Sequence, residues 1–259
     1  MLTGTTYGTG PVIWLAFHGI GQESSCFLPF GEHLPATHTL YSLDLPFHGP
    51  YEANDGWPPV ITPTYWQTVI ADFLAEKKID RFSVVGFSMG GRFALLTAQA
   101  FASRVDELWL LAPDGITPNP WYVLATGTGA GRWLLRNLLA HTALLLGLGR
   151  ALVQVRLLPV GLLRFTEATL KTPDQRQQLY RAWVGFRRLM VPMPVFVRAI
   201  QQHQVRVGVY LGAYDVVLTR SATRPLEKLL PTCRLTILPT GHTSLVRRVS
   251  ELWKSRPFV

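Results

Sequence analysis

Residues 82–101 read FSVVGFSMGGRFALLTAQAF, and few folds can accommodate that order. A short run of apolar, β-prone residues enters a turn made of small residues. A helical pattern starts at once on the far side. The unit is a buried strand, a sharp reversal and a packed helix, which belongs to an α/β architecture. The reversal has the form G-x-S-x-G, with Gly86 and Gly90 flanking Ser88 and Gly91 following. Small flanking residues are needed where a chain reverses so sharply that the central residue takes strained backbone angles.

The same alternation runs through both ends of the chain. Residues 12–17 (VIWLAF), 39–43, 82–86 and 107–111 read as strands, and residues 65–77 and 89–101 as helices between them. After residue 200 a strand is expected at 205–211, a helix at 221–230, a last strand at 234–238 and a helix from about Thr243. Strands with few polar positions, joined by helix-length connections, imply a mostly parallel central sheet covered by helices on both faces.

Residues 116–200 break this rhythm: they are rich in Leu and Arg, helix-like and punctuated by Pro159, Pro173, Pro192 and Pro194. The expected organisation is a core built from residues 1–115 and 201–259, with a helical cap at 116–200 inserted after the strand ending near Leu111. The charge is concentrated in that insertion. Residues 115–200 hold eleven Lys and Arg against Glu167 and Asp174, whereas the rest of the chain is balanced, so the net +9 belongs to one region. Its leucines and arginines suit an apolar lid over a pocket, a collar for an anionic substrate or a membrane-facing surface. The most apolar stretch, 133–149, contains Arg136, Asn137 and His141 and is shorter than the ~20 residues a span requires, so no transmembrane helix is expected. Nothing resembles a nucleic-acid-binding motif.

A serine hydroxyl becomes a nucleophile only when a base removes its proton and an acid orients the base. Two late segments supply candidates in that order. Asp215 lies four residues past a strand end in LGAYD, and His242 four residues past the last strand in LPTGH. Asp114, which also follows a strand directly, is a second candidate for the acid. The turn His18-Gly19-Ile20-Gly21 after the first clear strand would present a backbone N–H opposite that of Met89, so Ile20 and Met89 are the expected oxyanion donors, with Gly21 an alternative. His48 is expected to be structural near the mouth of the site. His33, His38, His141 and His203 have no supporting context.

Together HG after an early strand, Asp44-Leu-Pro-x-His48-Gly49, GFSMGG, GAYD and the final GH resemble the α/β-hydrolase superfamily over essentially the whole chain. The resemblance implies Ser88 as nucleophile, His242 as base and acid, Asp215 as its orienter, and Ile20 and Met89 as N–H donors. It also implies that His18, Gly19, Phe87 and Arg92 line the substrate site. Many members read D-x-P-G-H-G-x-S at the second segment, and this chain departs from that with Phe47 in place of Gly. Dehalogenases and epoxide hydrolases carry Asp at the elbow, so Ser88 directs the reading to a serine hydrolase of a carboxylic ester or related acyl compound. SMGGR also resembles the menaquinone-pathway synthase branch, where arginines hold substrate carboxylates and a carbon–carbon bond breaks. A non-catalytic small-molecule receptor on the same fold is a third reading. No cofactor and no metal are expected. The two cysteines, Cys26 and Cys233, and an N-terminus without a secretory pattern suggest a cytoplasmic protein, and the resemblance implies a small-molecule acyl substrate.

Overall fold

A computed structural model describes residues 2–49 and 56–255. In chain order the first half comprises β1 (Gly4–Gly8), β2 (Val12–Phe17), α1 (Leu28–Glu32), β3 (His38–Leu43), α2 (Pro63–Glu76), β4 (Phe82–Phe87), α3 (Gly90–Ala100) and β5 (Val105–Leu111). Six helices follow without a strand: α4 (Pro120–Gly127), α5 (Gly129–Ala140), α6 (Thr142–Gln154), α7 (Val160–Thr169), α8 (Pro173–Gly185) and α9 (Met193–Gln202). The chain then returns through β6 (Arg206–Gly212), α10 (Arg224–Leu229), β7 (Arg234–Leu238) and α11 (Leu245–Ser255).

The seven strands form one sheet in the order β1-β3-β2-β4-β5-β6-β7, in which only β1 runs antiparallel to its neighbour. The expected mostly parallel sheet is therefore present, with one strand added. β1 reads GTTYG, too polar and too rich in glycine to look like a strand, and its pairing with β3 comes from the sheet edge. The central strands explain their own sequences. Val84, Val85, Leu108 and Leu110 are all fully buried because helices cover both faces. α3 is buried at almost every position, packed on β2, β4 and β5 and flanked by α2 and α9, while α1 packs against α11 on the sheet's flank.

Local capping sets where several helices begin. The Thr62 hydroxyl accepts the Tyr65 N–H ahead of Pro63 at the start of α2, and Thr172 with Gln175 forms a reciprocal capping box on α8. The insertion divides energetically. Leu135, Leu139, Leu170 and Leu179 make a separate small cluster, whereas Phe186, Leu189, Val191, Phe196 and Ile200 join the main core. The last part of the expected 116–200 insertion is thus welded to the sheet domain.

The reversal after β4 is a steric consequence of two glycines. A Cβ on Gly90 would lie 2.0 Å from the Phe17 carbonyl oxygen, and one on Gly86 would lie 2.6 Å from the Ala94 Cβ. Helix α3 can therefore approach β2 and β4 only without side chains at these positions. Substituting Gly90→Ala is expected to lower stability by about 3 kcal/mol or more, since the obstacle is backbone and cannot repack. Urea denaturation of the variant measures this directly.

Candidate active site

Ser88 sits at the top of β4 with φ of +54°, the left-handed region that non-glycine residues rarely occupy. Such strain costs about 1–3 kcal/mol and persists only where the surroundings enforce it. Here they do. The Ser88 N–H donates to the Leu111 carbonyl at 2.9 Å, and the Ser88 carbonyl accepts the Gly91 and Asp114 N–H groups, each at 2.9 Å. The turn is thereby tied both to α3 and to the end of β5.

Ser88 Oγ lies 3.0 Å from His242 Nε2, and His242 Nδ1 lies 2.6 Å from Asp215 Oδ2. All three side chains are buried. The Asp215 carboxylate is itself held in place: Oδ1 accepts the Val217 and Leu218 N–H groups at 2.8 and 2.9 Å in the loop after β6. Residues 154 apart in sequence, Ser88 and His242, meet because β4 and β7 belong to one parallel sheet whose following loops project from the same end. The arrangement can pass a proton from the serine hydroxyl to a ring nitrogen whose other nitrogen faces a carboxylate.

Of the two candidate acids, Asp114 has a different partner. Its Oδ2 accepts from Arg92 Nε and Nη2 at 2.8 and 2.7 Å, while the Arg92 guanidinium also lies 4.2 Å from the Tyr122 ring centroid. Burial alone would pull the Arg92 pKa down, but Asp114 and Tyr122 outweigh it and hold it above its ordinary value. The Tyr122 hydroxyl donates onward to the Trp183 carbonyl at 2.8 Å. Arg92, expected on the substrate, thus anchors α4 and α8 to α3.

The turn after β2 holds Ile20 between two engaged neighbours. The Gly19 N–H donates to Gln22 Oε1 at 3.0 Å, and the Gly21 N–H donates to His48 Nε2 at 3.1 Å. Gly21 therefore loses its claim as an alternative donor, and the Ile20 N–H lies between them. Met89 is the N-cap of α3, at the end where the first N–H groups lack intrahelical acceptors. His18 corrects an expectation, because it is fully buried with both nitrogens engaged: Nδ1 donates to the Gly19 carbonyl at 2.8 Å and Nε2 accepts the Leu45 N–H at 3.0 Å. His48 uses the same tautomer, with Nδ1 donating to Pro46. The rings meet edge to face, 5.2 Å apart.

Burial keeps both imidazoles neutral. It lowers His18 from 6.5 to about 4, and burial plus the neighbouring His18 lowers His48 to about 3. The Phe87 ring lies 5.0 Å from the His242 ring, and Phe165 of α7 meets it edge to face at 5.7 Å. Sequence reading missed Phe165, since a phenylalanine in a leucine-rich helix carries no mark of where the helix docks. Phe47 shows what its departure from the family pattern does. It keeps a glycine-like φ of +66° and places its ring 5.5 Å from Phe186, against Gly185 at the base of the insertion. Beside the His18–Gly21 turn is a cleft of about 480 Å³ lined by Gly21, Gln22, Cys26, Gln175 and Gln178 among others. No group of three His, Cys, Asp or Glu side chains suited to a metal occurs among the described residues.

Comparison with known proteins gives a consistent family. The family model described as alpha/beta hydrolase fold matches residues 15–246. An uncharacterized protein of Mycobacterium tuberculosis is 31% identical over 112 residues, 43% of this chain and 32% of its own length. A pimeloyl-[acyl-carrier protein] methyl ester esterase of Xylella fastidiosa is 36% identical over 105 residues, 40% of this chain and 37% of its own. These matches therefore span about a third of the length of the curated relatives. Among solved structures, MenH from S. aureus superimposes with a TM-score of 0.68 at 18% identity, covering 96% of this chain and 94% of that one.

The buried histidines set an acid limit. Their folded-state values lie below 6.5, so the unfolded chain binds more protons between about pH 6.5 and 3. Their contribution is complete above pH 6.5 and is lost as pH falls through that window. His48→Gln, which keeps an acceptor but cannot titrate there, is expected to flatten the lower part of this acid limb in thermal melts across pH. Asp114→Ala strands a buried guanidinium and is expected to cost about 3 kcal/mol, at the low end for such pairs because Asp114 is partly exposed. Chemical denaturation measures it.

Proposed function

The chain belongs to the alpha/beta hydrolase fold family, and on that premise we propose that it is a serine hydrolase acting on a carboxylic ester or related acyl substrate. One observation carries the reading: a strained, buried serine hydroxyl 3.0 Å from an imidazole whose far nitrogen lies 2.6 Å from a carboxylate. His242 takes the Ser88 proton as Oγ attacks the substrate carbonyl carbon. The Ile20 and Met89 N–H groups receive the negative charge that develops on the carbonyl oxygen. His242 then gives its proton to the leaving group, and water, deprotonated in turn by His242, releases the acyl group from Ser88. Asp215 keeps the Nδ1 proton of His242 facing it, so that Nε2 is free to accept. No step requires a cofactor.

In this reading residues 1–115 and 201–259 supply the catalytic core, and the helices after residue 116 cap it. Phe165 against His242 and the Arg92–Tyr122–Trp183 connection support that division. Phe87 and Phe165, the rings beside His242, are apolar and suit an acyl chain. Carbon–carbon cleavage of an anionic substrate would need Arg92 to meet a carboxylate, and the Arg92–Asp114 pair favours the ester reading.

A fluorophosphonate probe is expected to label Ser88 in wild-type protein and to leave Ser88→Ala unmodified, as read by peptide mass spectrometry. Folded wild-type protein without label would refute the proposal. Asp215→Asn is expected to reduce kcat on p-nitrophenyl esters by about 10⁴, because the wrong His242 tautomer then faces Ser88. A steady-state assay over a range of acyl lengths gives both that loss and the preferred chain.

A further inference from the structure

The helices between β5 and β6 expose an unusual amount of apolar surface. Among the described residues, eleven of the nineteen exposed large hydrophobic side chains fall within residues 121–160, so this face is not ordinary protein surface. On α6 the pattern is periodic. Leu144, Leu148 and Ala151, with Val155 at the C-cap, recur at helical spacing and all face outward, with Leu144 at 75% exposure. The opposite side of α6 is already in use, with Leu145 on the small cluster and Gly149 against Leu163. Trp133 and Leu134 on α5 and Trp121 on α4 are also exposed, Trp133 at 67% and Trp121 at 77%.

The charge on this surface has one sign. Residues 115–166 contain five arginines and no acid. Arg150 pairs with Glu167, whereas Arg156 and Arg164 are exposed without an acidic partner among the described residues. A second copy of this chain seated on the same face would set arginines against arginines. A surface of leucine stripes, tryptophans and unopposed arginines instead matches the interfacial layer of a bilayer whose headgroups are negative. No helix among the described residues is long and apolar enough to cross a membrane.

We infer that α4–α7 form a docking face for an anionic lipid surface, with the α6 stripe entering the headgroup boundary and Arg156 and Arg164 held by lipid phosphates. The face borders the candidate site. α7 carries Arg164 and Val160 outward and Phe165 toward His242, and Gly161 abuts Val216, the neighbour of Asp215. Docking would thus set the site's entrance at the lipid boundary. The docking itself does not depend on the role of Ser88.

Co-sedimentation of the full chain with vesicles tests it. Wild-type protein is expected to pellet with phosphatidylcholine vesicles containing about one-third phosphatidylglycerol at low salt, and to remain in the supernatant with phosphatidylcholine alone. Arg156→Gln with Arg164→Gln should weaken binding to the anionic vesicles by about 25-fold, at roughly fivefold per charge. Leu144→Ser with Leu148→Ser should weaken it by about tenfold or more, with melting curves unchanged because all four side chains are exposed. Wild-type protein left in the supernatant at low salt would overturn the proposal. Insensitivity to the leucine pair would reduce binding to bulk charge and also overturn it. Lower melting temperatures in both variants would show that these side chains are structural, with the same consequence. Lipid-free self-association abolished by the leucine pair, seen by analytical ultracentrifugation, would assign the face to a second copy instead.

Discussion

The contact between the first turn of α3 and the ends of β2 and β4 governs the structure around it. Gly90 packs on the Phe17 and His18 carbonyls and Gly86 on Ala94, closer than any side chain allows. That proximity leaves the connecting residue no relaxed backbone geometry, and Ser88 takes the left-handed region. The same contact brings the start of α3 beside the turn that follows β2. The proposed nucleophile and both proposed N–H donors are thus consequences of one close approach. The strain at Ser88 is held by three backbone hydrogen bonds, one of which comes from Asp114 at the exit of β5.

Around this point the buried polar groups divide the work by partner. Asp215 faces His242, while Asp114 faces Arg92, and the difference decides which carboxylate lies against the imidazole. His18 and His48 are neutral and use identical hydrogen-bonding patterns, each accepting a backbone N–H at Nε2 and donating at Nδ1. They fasten the turn carrying Ile20 to the segment 44–48. A protonated ring would have no lone pair to accept with, so the positioning of that turn is linked to burial.

Much of the sheet was legible because buried parallel strands leave apolar runs of the right length, and because glycines at forced turns cannot be replaced. β1 was not legible, since its residues have little strand preference and its pairing is a property of the β3 edge. Ser88, Asp215 and His242 could be read as candidates because each follows a strand, and parallel strands deliver their following loops to one end. Phe165 could not, because its role depends on how α7 packs. Nor could the partition of residues 186–202 into the main core, which only the packing of α9 on α3 reveals.

Local sequence alone determined the strand-turn-helix unit, the order of the three candidate side chains and the uneven charge, because these depend on residue type, spacing and periodicity. The tertiary structure decided what depends on distance between remote segments. It paired Asp114 with Arg92 and Asp215 with His242, turned His18 from the cleft into a backbone anchor, and left the apolar side of α6 facing outward. Choices of partner and of exposed face follow from packing geometry, which a linear pattern does not contain.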